Sequence, residues 1–202
     1  VASHFRRNFG GILGYDFISR FVVEIDYVNQ TITLYDPQGY NYKGSGHRVP
    51  ITVDGTPFVK GEVQVKGREP VQGRFIIDTG FDGATTLFGP FIEAHNLLQP
   101  NEKAIGITRA GLRQSKGVAS RIERFTFGGF SFRNVITNFI LEEKGSEATT
   151  DEAGLIGNKI LREFKVILDY SRQEMILEPN GQFSETLDEN LSGIEFELRA
   201  AR

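Results

Sequence analysis

A repeat of 24 residues constrains this chain more than any other feature. Residues 11–34 align without gaps to residues 154–177, and eight positions are identical: Gly11/Gly154, Gly14/Gly157, Phe21/Phe164, Val23/Val166, Asp26/Asp169, Tyr27/Tyr170, Gln30/Gln173 and Leu34/Leu177. Six further pairs exchange one apolar residue for another, such as Ile12 for Leu155 and Ile32 for Met175. Chance would supply roughly one or two identities over such a span, so the segments are copies of one structural unit. Each copy reads as an apolar-apolar-Gly segment followed by a short helical stretch, whose apolar positions in the second copy are Ile160, Leu161 and Phe164. Two strands follow, joined by a two-residue turn: Val28-Asn29 in one copy, Ser171-Arg172 in the other. The repeated Asp26 and Asp169 are read as residues that orient these hairpins.

The copies differ in what precedes them. About 110 residues with sheet-like patterning stand before the second copy, but only ten before the first. The expected organisation is therefore the C-terminal part of one lobe over residues 1–44, a complete lobe over 45–181, and a linker over 182–202 that runs into an opening strand at Ser192-Gly193-Ile194. The chain starts at Val1 with no signal-peptide pattern, and is read as a piece of a longer protein.

Between the copies the pattern is nearly all β. Strands are expected over 49–53, 58–65 and 74–77, with turns at Asp54-Gly55 and Lys66-Gly67. Pro90 opens a short helix over 91–98. A long hairpin is expected from 104–112 and 118–127, then a turn at Gly128-Gly129 into a strand over 130–141, and a polar loop over 142–152. With 23 Gly, 17 Phe and no Trp, the composition suits many short strands and tight turns.

Composition also narrows the chemistry. The absence of Cys excludes disulfides, thiolate metal sites and thiol nucleophiles, and three scattered histidines (His4, His47, His95) offer little for a metal site or a His-based triad. A net charge of −3 provides no general attraction to nucleic acid. No apolar run approaches the ~18–20 residues that cross a bilayer. Neither metal nor cofactor is expected.

The chemically loaded stretch is Asp78-Thr79-Gly80, delivered by the apolar residues Phe75, Ile76 and Ile77. The tripeptide alone is ordinary turn chemistry. Its pairing with Leu155-Ile156-Gly157, an apolar-apolar-Gly element further along, is more specific. Together these resemble the aspartic peptidases, and in particular the retropepsin-like enzymes, over residues 49–179. The resemblance implies a mainly β, acid-protease barrel lobe with one or two short helices, plus the C-terminal remnant of a second similar lobe. It implies that Asp78, Thr79 and Gly80 form the active-site triplet, that Leu155, Ile156 and Gly157 pack beside it, and that Asp82 bonds the substrate backbone. Ile105, Gly106 and Ile107, with Ala110 and Gly111, sit where the family carries its flap. The Ser192-Gly193-Ile194 strand resembles the opening of a PDZ domain, which follows the protease in bacterial relatives of the cell envelope; a bacterial envelope or periplasmic setting is what that implies.

Two departures stand out. Phe81 replaces the small residue usual after the triplet, which narrows or rebuilds the neighbouring substrate subsite. Asn158-Lys159 follows the apolar-apolar-Gly element where retroviral enzymes have Arg-Asn, so their Arg-based interface ion pair is absent. One carboxylate cannot make a dyad, so the expected partner is the second lobe of the parent polypeptide or a second chain in a homodimer, acting on a protein or peptide substrate. The function expected is aspartic endopeptidase; a catalytically inactive retropepsin-like binding or dimerisation domain is the alternative. A β-sandwich binding module would account for the strands but not for both motifs together.

Overall fold

The computed structural model describes residues 12–98, 106–110, 115–141 and 151–187. The first repeat forms a helical turn, α1 (Tyr15–Ile18), and the strands β1 (Val22–Asp26) and β2 (Thr31–Tyr35). Next come β3 (His47–Pro50), β4 (Thr52–Asp54), β5 (Thr56–Gln64), β6 (Val71–Ile77), β7 (Thr85–Leu87), helix α2 (Gly89–Ala94), β8 (Gly106–Ala110), β9 (Ser115–Phe127) and β10 (Phe130–Ile140). The second repeat forms β11 (Gly154–Ile156), helical turn α3 (Asn158–Leu161), β12 (Phe164–Asp169) and β13 (Glu174–Pro179). The chain is thus mainly β, as the alternation and turn chemistry dictate.

The larger sheet runs β4-β5-β6-β11-β7-β10-β9-β8, and an added β5–β9 pairing closes β5, β6, β11, β7, β10 and β9 into a six-strand barrel. Two of its contacts are parallel, β11 with β6 and β10 with β7. Gly128 and Gly129 turn β9 into β10 with φ of 55° and 84°, the left-handed pair that a two-residue hairpin turn requires. Phenylalanine fills the interior: Phe75, Phe125, Phe127, Phe132, Phe139 and Phe164 are fully buried. Several of these rings meet edge-on, as in Phe75–Phe125 at 5.1 Å, while Phe127 and Phe132 stack at 6.2 Å, and the half-buried Phe130 meets Phe164 edge-on at 4.7 Å. Beyond β13, Phe183 packs on Phe130, Phe132 and Phe164, and Arg133 donates its backbone N–H to the Glu185 carbonyl at 2.8 Å. Residues 182–187 therefore lie against the barrel.

The smaller sheet runs β2-β1-β12-β13-β3 and joins the two repeats. The β1–β12 register is antiparallel, from Val22↔Asp169 to Asp26↔Lys165, with Glu24 opposite Ile167 at its centre. Ile167 is the residue aligned with Glu24 in the repeat, so a local twofold axis passes through that pair and relates the copies. One face of this sheet, with Val166, Leu168, Met175 and Leu177, belongs to the barrel core. The other, with Val22, Ile167 and Ile176, is covered by Tyr35, Tyr40 and Tyr42.

The repeated hairpins differ from expectation in length. The closing pairs are Asp26↔Thr31 and Asp169↔Glu174, leaving four-residue loops over 27–30 and 170–173 instead of two-residue turns. The reason lies in the repeated aspartates, since Asp26 accepts the Asn29 backbone N–H at 2.9 Å and Asp169 that of Arg172 at 3.1 Å. Gln30 and Gln173 then return the chain with φ of 55° and 52°. These carboxylates do orient the hairpins, as read from sequence. The polar loop expected over 142–152 falls mostly outside the described residues, as do the first and last flap residues named, Ile105 and Gly111.

Candidate active site

Strand β6 carries the triplet to the rim of the barrel. Phe75 and Ile77 point into the core, and the alternation leaves Asp78 half-buried at the strand's end, followed by exposed Thr79 and Gly80. The loop folds on its own carboxylate, with the Gly80 N–H donating to Asp78 Oδ1 at 2.8 Å. A Cβ at residue 80 would stand 3.2 Å from that same oxygen, so a larger residue would crowd the carboxylate. The Asp78 N–H donates to the Ile156 carbonyl at 2.9 Å, and the Phe81 N–H to the Asp78 carbonyl at 3.3 Å.

Leu155, Ile156 and Gly157 do pack beside this loop. Strand β11 is inserted parallel to β6, with Ile156 opposite Ile77, and antiparallel to β7. Gly157 donates its N–H to the Ala84 carbonyl at 2.8 Å, Asn158 to Phe81 at 2.7 Å and Lys159 to Gly83 at 3.1 Å, so the start of α3 is stitched to the far side of the loop. Only glycine fits at 157, because a Cβ there would lie 2.3 Å from the Phe81 ring and 2.4 Å from the Gly83 carbonyl oxygen. Gly83 is also shielded by Phe81, whose ring would meet a Cβ at 2.1 Å. Phe81, the departure noted in the sequence, thus lies folded over Gly83 and Gly157. Asp82 is exposed in the same loop.

Asn158, noted in the sequence only as a departure, turns out to hold the loop. Its side-chain Nδ2 donates to the Thr79 carbonyl at 2.6 Å, and its Oδ1 accepts the Tyr27 hydroxyl at 2.8 Å. The repeat is a sequence signal for Tyr27, which is identical to its counterpart Tyr170, but not for Asn158, which aligns with Tyr15. Gly106 and Ile107 lie on β8, paired to Ala119 and Val118 of β9 in the hairpin expected as a flap. His47 and His95 pack on aromatic neighbours, Phe130 at 5.8 Å and Phe91 at 4.8 Å. A cavity of about 660 Å³ opens elsewhere, between β3, Phe58, Arg74 and the Gly128-Gly129 turn, with no residue of the 78–82 loop in its wall.

The structure is a closed six-strand barrel whose Asp-Thr-Gly loop is braced by an apolar-apolar-Gly strand, the mainly β barrel lobe that the sequence led us to expect. Among solved structures, a retropepsin-like aspartic protease from Rickettsia conorii is similar to this chain at 19% identity and a TM-score of 0.46, over 68% of this chain and 96% of that one. An aspartic proteinase from Irpex lacteus is similar at 17% identity and a TM-score of 0.42, over 74% of this chain and 51% of that one. No protein-family model and no curated protein matches the chain. Among the described residues no helix is long and apolar enough to cross a membrane.

Proposed function

We propose that this chain carries one catalytic half of an aspartic endopeptidase, with Asp78 as its carboxylate. The observation that carries the reading is the loop itself: a half-buried carboxylate at a strand end, tied to the Gly80 N–H at 2.8 Å and opening to the exterior. Two such carboxylates brought together cannot both ionise, so they share one proton. The ionised one takes a proton from water, which attacks the peptide carbonyl. The protonated one donates to that carbonyl, and the roles reverse as the amine leaves. Thr79 supplies a neutral hydroxyl that can bridge to the partner loop without adding charge. Asp82, Phe81, Gly106 and Ile107, with Ile105 and Gly111 beyond the described residues, form the substrate side of this reading.

The second carboxylate comes from a lobe that covers the first repeat. In the second repeat Ile156, Met175 and Leu177 are buried at 0%. Their aligned partners Leu13, Ile32 and Leu34 are exposed at 62%, 65% and 40%, and Ile12 at 73%. Apolar surface of this pattern is the underside of a barrel wall, and the twofold register of β1 with β12 supports a covering lobe built like residues 45–153. That favours an upstream lobe of the same polypeptide over a second copy of this chain, since a second copy brings the same uncovered repeat. The non-catalytic alternative draws on Phe81, whose ring occupies space beside the triplet.

The test is peptide cleavage at acid pH by protein containing both lobes, with and without a statine-type transition-state analogue. Asp78→Asn is expected to lower kcat by at least about a thousandfold. Cleavage unaffected by that substitution would overturn the proposal, and peptide binding without cleavage would favour the alternative.

A further inference from the structure

The turn tyrosine of each repeat reaches across the twofold axis to the other repeat. Tyr27 donates to Asn158 Oδ1 at 2.8 Å, and the ring of Tyr170, its aligned counterpart, stacks at 6.2 Å on Tyr15, the counterpart of Asn158. The two contacts occupy equivalent places but differ in kind. Tyr15 and Tyr170 meet as rings, whereas Asn158 is an amide with a second arm, and that arm donates to the Thr79 carbonyl at 2.6 Å.

We infer that Tyr27 is a positioning residue for the 78–80 loop, acting through Asn158. A side-chain amide can be turned either way, and the wrong way would set the Asn158 oxygen against the Thr79 carbonyl oxygen. The Thr79 carbonyl, which can only accept, draws Nδ2–H toward itself, and the Tyr27 hydroxyl donates to the Oδ1 left on the other side and so holds the amide in that place. The Tyr27 ring is anchored against the barrel core. Burial pushes its pKa up to about 12, so the hydroxyl keeps its proton throughout the acid and neutral range. The backbone of Asn158 is held as well, by its bond to the Phe81 carbonyl at 2.7 Å. A chain of two hydrogen bonds therefore runs from the hairpin of the first repeat to the middle residue of the triplet, 131 residues apart in sequence at its first step. The first repeat thereby becomes part of the machinery that aims Asp78, and the catalytic consequence rests on the peptidase reading of the site.

Amide hydrogen exchange of Gly80 and Phe81, set against the β12 amides as an internal reference, tests the link without requiring any activity. Tyr27→Phe keeps the ring and removes only the donor. It is expected to speed exchange at Gly80 and Phe81 by roughly three- to tenfold, the worth of one neutral hydrogen bond, and to leave the β12 amides unchanged. Asn158→Leu is expected to do at least as much, and the double variant no more than Asn158→Leu alone, because both act on one path. Loop exchange unchanged in Tyr27→Phe, or additive effects in the double variant, would overturn the inference. In protein with both lobes, Tyr27→Phe is expected to lower kcat with KM held within about twofold and the pH profile unmoved; a rise in KM alone would count against it. Absence of cleavage in the unsubstituted protein would sink the peptidase reading, and the exchange experiment alone would then decide the link.

Discussion

Asp169 is 2% exposed and still charged, which its surroundings explain. Burial by itself would raise its pKa, but the Ser171 hydroxyl at 2.6 Å, the Arg172 guanidinium and the Arg172 backbone N–H outweigh it and hold the carboxyl below its usual 3.8. Asp26 is also lowered, first by the Asn29 backbone N–H and then by the Asn29 side chain. A carboxyl whose folded pKa lies below its unfolded value contributes its full stabilisation above the unfolded value, and loses it as pH falls through the folded one. Asp169→Asn is therefore expected to cost about 1–3 kcal/mol near neutral pH. The gap from the unsubstituted protein should shrink as pH drops below 3.8, read as melting temperature against pH. The repeated Asp-Tyr pair was legible in the sequence and so was the turn role of the Asp. The loop's true length was not, because it follows from which N–H the carboxylate selects once the strands have met.

Phe164 and Phe21 occupy the same place in the two repeats and have different surroundings. Phe164 starts β12 with no exposed surface, and the rings of Phe127, Phe130, Phe132 and Phe183 lie 4.7–6.2 Å away. Phe21 is half-buried, with Phe17 at 5.3 Å. Truncating Phe164 to Ala removes a ring from a filled interior and is expected to cost about 3–5 kcal/mol in urea unfolding. Phe21→Ala should cost less than half as much. Strand identities here were readable from period-two alternation, Gly-Gly and Asp-Gly turns, and the Pro90 helix start. Pairings were less so: β11 is a three-residue strand inserted between β6 and β7, and its β6 neighbours lie far up the chain, as Gly154 opposite Phe75. Its apolar-apolar-Gly signature pointed to it; the glycine requirement is explained by a Cβ at 154 colliding with the Thr86 carbonyl oxygen at 1.8 Å and one at 157 with Phe81.

The whole molecule is an asymmetric version of a twofold design. One repeat floors a closed barrel; the other presents Ile12, Leu13, Ile32 and Leu34 outward, with Ile32 and Leu34 on the same face of the small sheet but at its opposite end. Replacing Ile32 and Leu34 together by Ser is expected to leave the melting temperature of this chain nearly unchanged, since exposed substitutions cost within about 0.5 kcal/mol. The same double variant should abolish association with a covering lobe supplied as a separate chain, measured by calorimetry or light scattering. Retained association would remove the covering role from this face. What could be read from residues alone was what neighbours in the chain decide: the duplication, the mainly β class, the turn glycines, and the joint presence of Asp78-Thr79-Gly80 with Leu155-Ile156-Gly157. Tertiary structure decided the closure of the barrel through β5 and β9, the link from Tyr27 to Asn158, and the opposite fates of aligned apolar residues. Leu34 and Leu177 are the same residue in the same repeat, one exposed and one sealed. The difference lies in what packs above each, and that is a property of distant segments, which no local pattern carries.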